Sequence, residues 1–238
     1  MTKKNIQKNM KSIMLKRTAE LHSTRENREN SWKLFHRKIK YIRKIIEETD
    51  ENIGPTLQNE LNKLLITSLV TAMEVYFRER FIELFTIDKI DSDNLLEKID
   101  FRGTLFDVFE LNDQQREEGW KKEEFVVNHY SFQNLTDIKK AFKGVLDIDL
   151  WKDLKGYKFE MDNGDIVTCR KNFYHSIQKI INFRHSIIHD INFKKKISIN
   201  GFVIHYINMH AFIDFADIYI KEIVEKIKSK KLTQIPKT

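Results

Sequence analysis

From Trp32 onward the apolar side chains Phe35, Ile39, Ile42, Ile45 and Ile46 recur at steps of three and four among lysines and arginines. That is the period of one helix face, so an amphipathic helix is expected over residues 26–51, stopped by "NIGPT". Residues 57–85 hold the longest apolar-periodic run, with Leu61, Leu64, Leu65, Leu69, Ala72, Met73, Tyr76 and Phe77 as core candidates. A helix of that length spans about 43 Å and would cross the whole molecule. Residues 88–156 read as short helices between polar turns, among them Thr104 to Leu111 and Asn134 to Gly144. In "YKFEMDNGDIV", residues 157–167, alternation on both sides of Asn-Gly predicts a β-hairpin. Helix resumes from Cys169 to His189, and a last helix runs from Val203 to Lys230, with Ile207, Phe212, Phe215, Ile218, Tyr219, Ile223 and Ile227 on its inner side.

The pattern therefore predicts an all-α bundle of four or five main helices, with a small hairpin insertion and a basic N-terminal helix or arm. Composition agrees: of 238 residues 32% are charged and 41% apolar, with only 7 Gly and 2 Pro. Residues 1–24 lack periodicity and read as a basic arm, leaving 25–238 as one helical domain. The single cysteine, Cys169, excludes an internal disulfide and a cysteine-based zinc site, and points to a reducing compartment. No apolar run approaches the ~18 residues of a membrane span, and "MTKKNIQKNMKSIMLKR" lacks the apolar core of a signal peptide. A cytoplasmic protein with no membrane segment is the expectation.

The net charge of +7 is unevenly placed, because residues 1–44 carry 14 Lys or Arg against 3 Asp or Glu. Such a segment attracts a polyanion by counterion release, although a solvated basic helix without a partner has the same composition.

The chemistry concentrates in "INFRHSIIHD", residues 181–190. At 100° per residue Phe173, Ile177, Ile180, Ile181, Arg184, Ile187 and Ile188 fall in one apolar sector, with Arg184 where a leucine would be expected. A buried guanidinium must meet a carboxylate, a subunit interface or an anion-binding cleft. His185 and His189 are four apart and share an adjoining face. Arg184 and His189, five apart, point about 140° away from each other, so one chain is poorly arranged to bring both to one phosphate unless the helix unwinds after Ile188. Two copies around a twofold axis would form a composite cleft, which makes a homodimer part of the expected mechanism.

"RHSIIH" resembles the R-x4-6-H motif of the HEPN superfamily (higher eukaryotes and prokaryotes nucleotide-binding), in its four-residue form with a polar residue after the arginine. "SFQNLTDIKKAFKGVLDIDLW" and "SLVTAMEVYFRE" are similar to segments of its toxin and phage-defence branches, so the resemblance spans roughly residues 57–225. It implies a dimeric all-α bundle acting as an endoribonuclease with no metal and no other cofactor. Arg184 and His189 match the motif ends and His185 its polar second position. In that chemistry an arginine fork holds the phosphate and histidines move the protons of 2′-hydroxyl attack. The implied partners are RNA and an antitoxin or defence-system protein. A tyrosine modified in one family branch is replaced here by Ile191, which argues against that mode of control.

Other readings stay open. Glu74, inside an apolar run, is an auxiliary catalytic candidate, a structural partner for Arg184, or an exposed helix glutamate. Lys194, Lys195 and Lys196 are candidate RNA-binding residues or a solvated turn, and His175, His205 and His210 read as surface or packing histidines. The His185–His189 spacing also suits a metal, but Ser186 stands where a metallohydrolase of the H-E-x-x-H type has glutamate. A non-catalytic HEPN-like binding module is the main competitor to an enzyme.

Overall fold

The computed structural model describes residues 30–49, 53–85, 87, 127, 130–161, 163–190 and 193–232; the expected arm, residues 1–24, and the helix expected from Thr104 to Leu111 lie outside them. Six helices and one hairpin make up the described residues: α1 (Ser31–Glu48), α2 (Pro55–Phe85), α3 (Leu135–Leu146), α4 (Leu150–Asp153), β1 (Lys158–Glu160), β2 (Ile166–Thr168), α5 (Phe173–His189) and α6 (Ile199–Leu232). The fold is all-α, as the periodicity predicts.

Helix starts follow local chemistry. The Asn30 side chain accepts from the backbone N–H of Trp32 at 3.0 Å and of Lys33 at 3.4 Å, which places the start of α1 five residues later than expected. Pro55 opens α2, where a missing N–H is harmless. Asn134 caps α3 through the Asp137 N–H at 2.7 Å, and Asp147 closes it in the left-handed region at φ 55°. In the hairpin Phe159 pairs with Val167, and Gly164 adopts the φ of +85° that its tight turn requires.

The 31-residue α2 is the axis, packed against α1, α3, α5 and α6. Its second half is buried on several sides, by Leu69, Val70, Met73, Tyr76, Phe77 and Phe81, so a one-sided stripe is not needed there. Around Phe77 the rings of Phe142 and Phe212 stand 5.7 and 5.9 Å away, and Trp151 stacks on Phe212 at 5.2 Å.

Two core expectations are corrected. Leu64 is 66% exposed, because Asn62 takes the inward position, donating to the Ile197 carbonyl at 2.8 Å, and Leu64 lies roughly 200° around the helix from it. Ile207 is 56% exposed, because Phe202, Met209, Ile213 and Ile220 form the inner side of α6 and Ile207 faces away.

A polar lattice ties three helices together. Asp217 on α6, 1% exposed, accepts from the Tyr76 hydroxyl at 3.1 Å and meets Lys221 at 2.7 Å and the Arg80 Nε at 3.7 Å. Arg80 reaches Glu83 at 2.9 Å, and Glu83 also receives the Ser31 hydroxyl at 3.0 Å, so α1 is fixed to α2 at its first residue. Among the described residues no helix is long and apolar enough to cross a membrane.

Candidate functional site

α5 presents Phe173, Ile177, Ile180 and Ile181 to the core, and the same stripe continues to Arg184. Burial fades along it: Arg184 and Ile187 are half-buried, and Ile188, expected in the apolar sector, is 46% exposed near the free end of the helix. Arg184 Nη1 donates to Gln133 Oε1 at 3.0 Å, and Gln133 Nε2 donates to Glu74 Oε1 at 3.1 Å. The amide thus couples the guanidinium on α5 to the carboxylate on α2. Arg184 Nε is buried and has no hydrogen-bond partner among the described residues, which leaves one donor unspent in a fixed fork.

His185 and His189 are exposed on the adjoining face, with ring centroids 4.5 Å apart and planes tilted by 43°. α5 stays helical through His189, and the Asp190 N–H still bonds the Ser186 carbonyl at 3.0 Å. The unwinding that would narrow the angle from Arg184 does not occur. Within the chain the structure therefore joins Arg184 to Glu74 through Gln133 and His185 to His189, but does not bring the two pairs together. Among the described residues no third His, Cys, Asp or Glu completes a metal-ligand group with His185 and His189.

Beside the histidine stripe lies a cavity of about 410 Å³, lined by His175, Gln178, Lys179, Asn182, Phe183, Ser186, Phe193 and Lys195. Lys195 Nζ lies 4.4 Å from the centre of the Phe183 ring. His205 also lies against that ring, with centroids 5.7 Å apart. Burial holds the His205 imidazole below its ordinary range, and the nearby charges of Lys179 and Lys195 lower it further. Lys179 and Lys195 make the cavity wall cationic, a setting suited to an anionic ligand. Lys194 and Lys196 are exposed alongside.

Reading the sequence missed Gln133, Lys179 and Phe193. A polar stripe through His175, Lys179, Asn182 and Ser186 is legible at helical spacing and marks the cavity face. Gln133 carries no such signal, since its partner Arg184 is 51 residues away. Comparison with family models, curated proteins and solved structures found no match to this chain.

Proposed function

We propose that this chain is a metal-independent endoribonuclease of the HEPN type, acting as a cytoplasmic homodimer and serving as a toxin or abortive-infection effector against phage. The observation that carries the reading is Arg184: a half-buried guanidinium oriented by Gln133, whose Nε has no hydrogen-bond partner among the described residues, on the same helix as an exposed histidine pair. A preoriented fork of this kind suits a phosphate whose charge grows during reaction. Glu74 acts through Gln133 and is a positioning residue.

In the proposed reaction the ribose 2′-oxygen attacks the adjacent phosphorus, and the bond from phosphorus to the 5′-oxygen breaks. One imidazole takes the 2′-hydroxyl proton and one returns a proton to the leaving 5′-oxygen, giving a 2′,3′-cyclic phosphate and a 5′-hydroxyl end. His189 and His185 carry the proton steps and Arg184 the phosphorane charge. Because α5 is unbroken, Arg184 meets the histidines of a second protomer across a twofold axis. Lys195, with Lys179, holds flanking phosphates, and Lys194 and Lys196 add charge at the rim.

The test is RNA cleavage in the presence of EDTA by wild type, Arg184→Ala and His189→Ala. Cleavage by wild type alone, with dimers retained in all three, is the expected result; identical behaviour of the three proteins overturns the assignment. A second reading, a non-catalytic HEPN-like module binding nucleic acid or protein, is favoured by the same Gln133 bridge, which gives Arg184 a structural role. That module retains RNA or protein without cutting, and an antitoxin or defence-system partner is compatible with either.

A further inference from the structure

Away from α5, three side chains with metal-binding atoms converge from two helices. His210 and Asp214 are four residues apart on α6 and so project from one face toward α1, which contributes His36. His36 Nε2 lies 3.0 Å from Asp214 Oδ1, His210 Nε2 lies 3.7 Å from Asp214 Oδ2, and His210 Nε2 lies 3.5 Å from the other ring nitrogen of His36, Nδ1. All three residues are half-buried, so the group is sheltered while keeping an open side.

We propose that His36, His210 and Asp214 form a binding site for a zinc-like divalent transition metal that clasps α1 to α6. The donor set of two imidazoles and one carboxylate is suited to zinc, whose bonds of ~2.0–2.2 Å to nitrogen and oxygen set tetrahedral ligand atoms about 3.3–3.5 Å apart. One donor atom from each residue lies within 4.8 Å of the other two, and the contacts of 3.0–3.7 Å use both ring nitrogens of His36, so an ion would draw the three donors inward and settle on one of those nitrogens. Water would take the fourth position from the open side.

The surroundings agree. The Trp32 ring covers His36 at 3.9 Å between centroids, Phe35 meets it edge-on at 5.6 Å, and Tyr206 flanks His210 at 6.0 Å. Aromatic walls hold the imidazoles in orientation and limit solvent, as the shell of a metal site does. Magnesium is disfavoured, because it prefers an all-oxygen octahedron.

This site does not touch Arg184 or His189 and stands whether or not the chain cleaves RNA. Its consequence is mechanical: α1, which carries the basic residues Lys33, Lys38, Lys40 and Lys44, is held to the C-terminal helix by a metal as well as by core packing.

The test is calorimetric titration of metal-stripped full-length protein with zinc chloride, with magnesium chloride as control and melting followed in parallel. One zinc ion per chain and a raised Tm are expected, with no response to magnesium. His210→Ala and Asp214→Asn are each expected to weaken zinc binding at least about tenfold, while circular dichroism reports whether each variant is folded. His185→Ala/His189→Ala removes the other histidine pair at i, i+4 spacing and is expected to leave the 1:1 site intact. No saturable zinc uptake, or uptake lost with His185 and His189 but kept without His210, overturns the proposal. If His210→Ala unfolds, Asp214→Asn decides, since asparagine preserves shape while removing the anionic ligand.

Discussion

Arg184 on α5 donates a 3.0 Å hydrogen bond to Gln133, a residue whose own amide N–H group is spent on Glu74 at 3.1 Å. One neutral side chain thereby satisfies a cation and an anion on different helices. Gln133→Ala leaves both half-buried groups without it, and a loss of about 1–3 kcal/mol in unfolding free energy is expected from urea titration. If the coupling runs through the amide, Glu74→Ala and Gln133→Ala are non-additive by at least ~0.5 kcal/mol in a double-mutant cycle. Strict additivity would show that the bridge carries no energy.

An unbroken α5 keeps Arg184 and His189 on different sides of one helix, which makes subunit mixing informative. In a composite site, a heterodimer of Arg184→Ala with His189→Ala has one centre whose arginine and histidine are both intact. Co-expression of the two inactive variants is expected to restore a measurable fraction of wild-type RNA cleavage. Absence of any recovery, with heterodimers demonstrated by differential tagging, argues that both groups must come from the same chain.

Lys194, Lys195 and Lys196 are all exposed, but Lys195 lies over the Phe183 ring and in the cavity wall. A phosphate held by Lys195 contributes about one unit to the slope of log affinity against log salt. Lys195→Ala is therefore expected to weaken binding of non-cleavable RNA and to flatten that slope by about one unit. Lys194→Ala is expected to do less. Equal effects from the two substitutions would reduce the cluster to unspecific charge.

Periodicity made the long helices legible, because burial on one face writes a three-and-four repeat into the chain, as in Phe35, Ile39 and Ile42. It failed where burial departs from one face. Leu64 and Ile207 continue an apolar pattern yet face outward, since a neighbouring helix covers only part of each long helix. For the candidate site, Arg184 was conspicuous as a cation within an apolar stripe, and His185 and His189 as an i, i+4 pair. What the chain could not disclose is pairing over long separations: Gln133 with Arg184, or His36 with Asp214, 178 residues apart. Those contacts depend on how helices cross, which no local spacing encodes.

Cys169 and Tyr76 are buried acids whose protons link folding to alkaline pH. Burial pushes the Cys169 thiol up from an ordinary 9.0 to about 11, and raises Tyr76 well above its ordinary 10.0, with Asp217 adding to the effect. Both groups stay protonated in the folded chain while the unfolded chain releases their protons, so above the ordinary values the unfolded state binds fewer protons and gains stability relative to the native state. Their contribution is complete below pH 9 and is lost as pH rises toward the folded-state values. Each such proton tilts unfolding free energy downward by about 1.4 kcal/mol per pH unit while the two states differ. Urea midpoints measured from pH 8 to pH 11 are expected to fall progressively more steeply, with the first loss near pH 9 flattened in Cys169→Ser. Tyr76→Phe starts less stable, having lost its bond to Asp217, yet declines less steeply above pH 10. Parallel curves for wild type and both variants would mean that neither proton is linked to unfolding.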